Sequence, residues 1–136
     1  MVPHGTNGGM SILGTVMSGL GGAFIGFVFW ICSSLVGTKP DSPQHPIIVV
    51  GLICGVLGSL FDSILGATLQ ASYYSKDRKC IVKTKQEIKE DMSVVLICGI
   101  DVLSNEAVNV VSILLTMIVS LYISPRVFCF FDTYQC

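Results

Sequence analysis

Asp62 and Asp101 each lie inside a long hydrophobic stretch, and no Lys, Arg or His in those stretches can neutralise them. A charged side chain at the centre of a membrane helix costs about 2.5–3.5 kcal/mol on insertion scales. Each carboxylate must therefore face water, a shared proton, a metal ion or a partner helix. Asn105, Asn109, Ser112 and Thr116 follow Asp101 at helical spacing, which would put all five on one helix face. Gly51, Gly55, Gly58, Ser59, Asp62 and Gly66 likewise fall within about a third of a helix circumference, a stripe of small residues around a carboxylate. A hard divalent cation such as magnesium takes carboxylate, amide and water oxygens, and often binds where phosphates bind. Ordinary helix packing also accounts for Ser112 and Thr116, whose hydroxyls can bond across to a neighbouring helix.

Gly5-Thr6-Asn7-Gly8-Gly9, followed by Gly14, Ser18, Gly21 and Gly22, is a Gly-rich turn at the expected start of a helix. Such a turn exposes backbone N–H groups beside the positive end of the helix dipole, where anions are held. It lacks the Gly-Lys-Ser/Thr ending of a Walker A loop, and its glycines serve equally well for close packing.

The elements that must position these residues follow from hydropathy. Of 136 residues, 51% are hydrophobic and 12% charged, with a mean hydropathy of +0.74, which is too apolar for an ordinary water-facing surface. The net charge of -1 offers no electrostatic grip on nucleic acid. We expect an all-α fold, a multi-pass transmembrane helical bundle forming a single membrane domain over residues 1–136. Three stretches reach the roughly 20 apolar residues that cover a bilayer core: about 10–36, 47–69 and 92–123. The first lacks the charged n-region of a signal peptide, so it reads as a retained span, and the prolines of Lys39-Pro40-Asp41-Ser42-Pro43 favour a turn before the second. In the third, Ser104-Asn105-Glu106 interrupts the apolar run, leaving one long helix or a broken one.

Six of the eight Lys and Arg residues fall between Lys76 and Lys89, whereas residues 1–38 have no charged side chain. By the positive-inside tendency, the loop at about 71–91 is expected on the cytosolic side together with residues 1–9. Its acidic residues Asp77, Glu87, Glu90 and Asp91 favour a solvated topogenic loop over a phosphate or headgroup site. The absence of a cleavable-signal pattern leads us to expect an endomembrane location. Cys32, Cys54 and Cys98 read as small apolar groups within spans, and no Cys-x-x-Cys or zinc-like spacing occurs.

Three segments carry a family resemblance. Val2 to Gly9 with Gly21-Gly22, then Gly58-Ser59-Leu60-Phe61-Asp62-Ser63-Ile64-Leu65-Gly66-Ala67-Thr68-Leu69-Gln70, then Asp101-Val102-Leu103-Ser104-Asn105-Glu106-Ala107-Val108-Asn109 resemble the transmembrane protein 19 family over most of the chain to about Ser124. That family is similar to the phytyl-phosphate kinases and, more distantly, to membrane cytidylyltransferases and dolichol kinases. The resemblance covers roughly the C-terminal half of family members, so further transmembrane helices are expected as partners and the chain is expected to be a fragment or short form. Glu106 stands where a second asparagine would be expected.

The resemblance implies a prenyl-phosphate kinase-like phosphotransferase. Gly5, Thr6, Asn7, Gly8 and Gly9 would then cradle phosphate. Asp62 and Asp101 would be catalytic and, with Asn105 and Asn109, would hold Mg2+ and align the phosphates. Its partners would be membrane lipid, a nucleotide and a prenyl phosphate. The alternative is a non-catalytic membrane protein or transporter fragment whose carboxylates form an intramembrane proton or ion path.

Overall fold

A computed structural model describes residues 5–37, 43–82 and 93–131. Three helices are long and apolar enough to cross a membrane: α1 (Ile12–Leu35), α2 (Ile47–Leu69) and α3 (Asn105–Phe131). Between α2 and α3 lies a small antiparallel sheet of β1 (Ser72–Ser75), β2 (Cys80–Val82) and β3 (Val94–Cys98), in the order β2-β1-β3. The described residues group into two compact units, one of Met1–Met10 with Phe61–Ser112 and one of Ser11–Leu60 with Ile113–Cys136.

In the second unit, Ser11 starts α1 by accepting the Gly14 N–H on its hydroxyl at 3.0 Å, which satisfies a donor that the helix cannot. Pro46 precedes α2, and its carbonyl accepts the N–H groups of Val49 and Val50 at 3.0 and 3.1 Å. The two helices meet backbone to backbone. A Cβ at Gly22 would strike the Gly51 carbonyl and come within 3.1 Å of the Gly55 Cα; one at Gly26 would come within 2.6 Å of the Ile47 oxygen; one at Gly55 would strike the Ser18 oxygen. Without a hydrophobic driving force inside lipid, such close approach is what holds two apolar helices together. Gly58 instead faces α3, where a Cβ would sit 3.4 Å from the Thr116 hydroxyl. The outer surface of α1 is apolar and exposed from Ile12 to Val36, as a lipid-facing helix requires.

In the first unit, the Lys76–Lys79 turn joins β1 to β2, pairing Tyr73 with Val82 and Ser75 with Cys80. The buried Ser75 hydroxyl accepts the Arg78 N–H at 3.1 Å, and Lys79 takes the left-handed conformation, φ 51°. On its other side β1 pairs with β3, with a register shift between Ser72 and Tyr73.

Two expectations need correction. The fold is helical with a small sheet rather than all-α, and the third helix begins at Asn105, not near residue 92. Val94, Val95 and Ile97 are β-branched and favour a strand, and Gly99 at φ 69° ends the apolar run in a conformation that no helix continues. Ser104 then opens α3 afresh, its hydroxyl accepting the Ala107 N–H at 3.3 Å and its carbonyl the Val108 N–H at 3.0 Å. Among the described cysteines, Cys32, Cys54, Cys80 and Cys98 are free, and Cys129 is disulfide-bonded.

Neighbouring glycines on α1 should respond oppositely to the same change. A Cβ at Gly21 meets nothing within 4 Å. Gly21→Ala is therefore expected to stabilise by about 0.5–1 kcal/mol through helix propensity, whereas Gly22→Ala should destabilise by about 1–3 kcal/mol through overpacking. Reversible unfolding in detergent reads both, and equal effects would contradict the α1–α2 contact.

Candidate functional site

Gly5 to Gly9, Asp62, Asp101, Asn105 and Asn109 all lie in the first compact unit, which is built about the C-terminal end of α2. A helix leaves its last four carbonyls without intrahelical partners, and here the rest of the unit supplies partners for three of them. The Cys98 thiol donates to the Ala67 oxygen at 3.2 Å, and the Ile100 N–H to the Thr68 oxygen at 3.1 Å. The N–H groups of Val102 and Leu103 converge on the Leu69 oxygen at 3.2 and 3.0 Å. Gly99 lies so close to Gln70 that a Cβ there would overlap its carbonyl, with the Ala67 oxygen at 3.2 Å. Only glycine meets both that contact and the positive φ.

The Gly5–Gly9 segment is a strap laid over the same helix end. Asn7 fastens it, its backbone N–H donating to the Ser72 hydroxyl at 2.9 Å and its side-chain amide to the Ala71 oxygen at 3.1 Å. Gly8, at φ 73°, rests on α2 where a Cβ would overlap Ser63 and Ala67, and opposite it a Cβ on Gly66 would come within 3.0 Å of the Gly8 nitrogen. Thr6, Gln70 and Ser72 are buried, so a polar cluster rather than an apolar core closes this end of the helix.

Asp62 sits on α2, half-buried, one residue before the Ser63 carbonyl under the strap. Asp101 is exposed on the turn whose flanking N–H groups cap α2, and Asn105 and Asn109 are exposed on the first turns of α3. Asp101 is thus not part of a helical face with Asn105 and Asn109; a backbone turn sets its position. Asp62 and the Thr68 level to which that turn is bonded are separated by roughly 9 Å along the helix axis, six residues at 1.5 Å each. Among the described residues, no three His, Cys, Asp or Glu side chains gather as a metal-binding group. The donor set is chemically right for magnesium, which commonly takes one or two carboxylates and completes its shell with water and substrate phosphate.

The strap's donors are partly committed. The Asn7 N–H is given to Ser72 and the Gly9 N–H to the Thr6 oxygen at 3.1 Å, so those two do not point at an anion. Glu106 also acquires a place: it stands in the first turn of α3, at the positive end of the helix dipole. Gln70, Ser72 and Gly99 carry this architecture without having been singled out as site residues. Gly99, closing an apolar run just before Asp101, was the signal in the sequence.

A model of the family described as integral membrane protein DUF92 matches residues 1–117. The chain belongs to that family. A DUF92 chain is an integral membrane protein, in keeping with the three span-capable helices. Protein PGR of Arabidopsis thaliana is 37% identical over 134 residues, an alignment covering 93% of this chain and 43% of that protein. This DUF92 chain therefore spans less than half the length of that relative. No solved structure matches it.

The strap offers a direct check. Asn7→Ala removes the donor to Ala71, and Ser72→Ala removes the acceptor of the Asn7 N–H, each at a cost of about 1 kcal/mol. Because both bonds close one strap, the double variant should lose less than the sum, measured as a double-mutant cycle on unfolding in detergent. Additive losses would show that the strap is not held as a unit.

Proposed function

We propose that this DUF92 chain contributes the polar end of a membrane-embedded phosphotransferase, which transfers a phosphoryl group from a nucleotide to a prenyl phosphate at the cytosolic face of an endomembrane. The observation that carries the reading is that the Gly-rich strap, the Asp62 turn of α2 and the Asp101 turn all belong to one compact unit at the end of a span. A lipid phosphate presents its reactive oxygen at that depth, and the cluster of basic residues between Lys76 and Lys89 favours a cytosolic orientation.

In this reading an oxygen of the prenyl phosphate attacks the terminal phosphorus of the nucleotide. The bond to the bridging oxygen breaks, leaving a prenyl diphosphate and a nucleoside diphosphate. Such transfers need alignment and charge neutralisation more than a covalent nucleophile. Asp62 and Asp101, with the amide oxygens of Asn105 and Asn109, would hold Mg2+, which would neutralise charge on the phosphates. The strap closes one side of the site and sets the Asp62 turn, rather than supplying a full ring of N–H donors. The C-terminal end of α2 adds partial negative charge, which favours a cation there and opposes a bare anion. The resemblance to the transmembrane protein 19 family and the phytyl-phosphate kinases supports the same reading.

The test is magnesium-dependent transfer of labelled phosphate from CTP or ATP to a prenyl phosphate in detergent, with this chain and a full-length relative assayed side by side. The full-length form is expected to transfer, and Asp62→Asn to abolish transfer while leaving the protein folded, as loss of an interaction made in the transition state. Folded protein with no transfer and no nucleotide binding, but with pH-dependent ion flux in vesicles, would instead assign the carboxylates to an ion path.

A further inference from the structure

The sheet leaves an apolar surface that neither the fold nor the proposed reaction uses. Val95, Leu96 and Ile97 of β3 are 41, 50 and 40% exposed, and Ile100 and Val102 on the following turn are 56 and 62% exposed. Exposure of three consecutive strand residues means that both faces of β3 are uncovered, because side chains alternate across a sheet. Among the described residues β3 pairs with β1 alone, and none of them pairs with its outer backbone edge. In water, such an edge would invite aggregation.

The covalent tethers of the sheet limit where it can lie. Ser72 follows the last residue of α2 by three positions, and Cys98 precedes the first residue of α3 by seven. Both neighbours are spans, so the sheet is held at the membrane surface. An open edge cannot enter the hydrocarbon core, where unpaired N–H and C=O groups have no partner, but it is tolerated at the headgroup level, where water remains. Lys76, Arg78 and Lys79 are exposed on the β1–β2 turn, which also carries the exposed Asp77. Basic residues close to a bilayer favour anionic headgroups, each by about fivefold in local association.

We propose that the sheet is an interfacial element. The apolar residues of β3 and the following turn enter the boundary between headgroups and acyl chains, on the side where α2 ends and α3 begins, and the Lys76–Lys79 turn rests on anionic lipid headgroups of the same leaflet. This places a two-sided apolar strand in the one solvent that accepts both its side chains and its open edge. The inference is independent of the phosphotransferase reading.

The experiment uses the full chain in phosphatidylcholine vesicles with and without phosphatidylserine. Leu96→Trp is placed in a Trp30→Phe background, so that the emission reports β3 alone, and Ile97→Trp is made in parallel to report the opposite face. Both tryptophans should be quenched more by lipids brominated near the headgroup end of the acyl chain than by lipids brominated near its terminus. Phosphatidylserine should deepen the shallow quenching, and the triple substitution Lys76→Gln, Arg78→Gln, Lys79→Gln should remove that dependence on anionic lipid. Emission of a water-exposed tryptophan would overturn the proposal. So would blue-shifted emission without lipid quenching, which would mean that a second copy or another protein segment covers β3. Stronger quenching from the chain terminus would make the segment a span, and shallow quenching unaffected by phosphatidylserine would overturn the headgroup contact.

Discussion

The polar half of this protein depends on how the carbonyl end of α2 is satisfied as the helix leaves the apolar layer. An unmatched buried carbonyl costs about 1–3 kcal/mol, and more where water is scarce. Here one thiol and three backbone N–H groups from residues 98–103 return to cover Ala67, Thr68 and Leu69, and Asn7 covers Ala71 from the opposite end of the sequence. Segments more than sixty residues apart in sequence are thereby brought to one helix end. Asp101 has its place because its neighbours are caps.

The glycines of α2 divide the helix by level. Gly51 and Gly55 admit the backbone of α1, Gly58 admits Thr116 of α3, and Gly66 admits the strap through Gly8. One stripe on a helical projection therefore meets three partners. The same absence of a side chain serves close helix approach in the spans and a tight loop contact at the polar end. Gly21 and Gly22 show how local the requirement is, since adjacent residues on α1 point one at open space and one at a backbone.

Electrostatically, the site joins two half-dipoles of opposite sign. The end of α2 is negative, and its exposed neighbour Asp101 adds to that. The start of α3 is positive, and Glu106 in its first turn takes up part of that field. The magnesium–phosphate pair that we propose would meet both signs of charge on such a surface.

Three segments apolar enough to cross a membrane were legible in the sequence, because hydropathy sums a transfer energy that each residue carries wherever its neighbours are. The concentration of charge between two spans and the two carboxylates set in apolar stretches were legible for the same reason. The state of residues 94–98 was not. A short apolar run suits a strand or a buried helix turn equally by pattern, and the choice fell to β1, some twenty residues earlier, which offered a ladder of hydrogen bonds. Nor could spacing show that Asp101 precedes α3 instead of riding on it, because that depends on Gly99 turning the chain against Gln70. Sequence alone marked three stretches as apolar enough to cross a membrane, a one-body property of their residues; tertiary structure decided the strand, the strap and the placing of Asp101, because each rests on a hydrogen bond or backbone contact whose partner lies elsewhere in the chain.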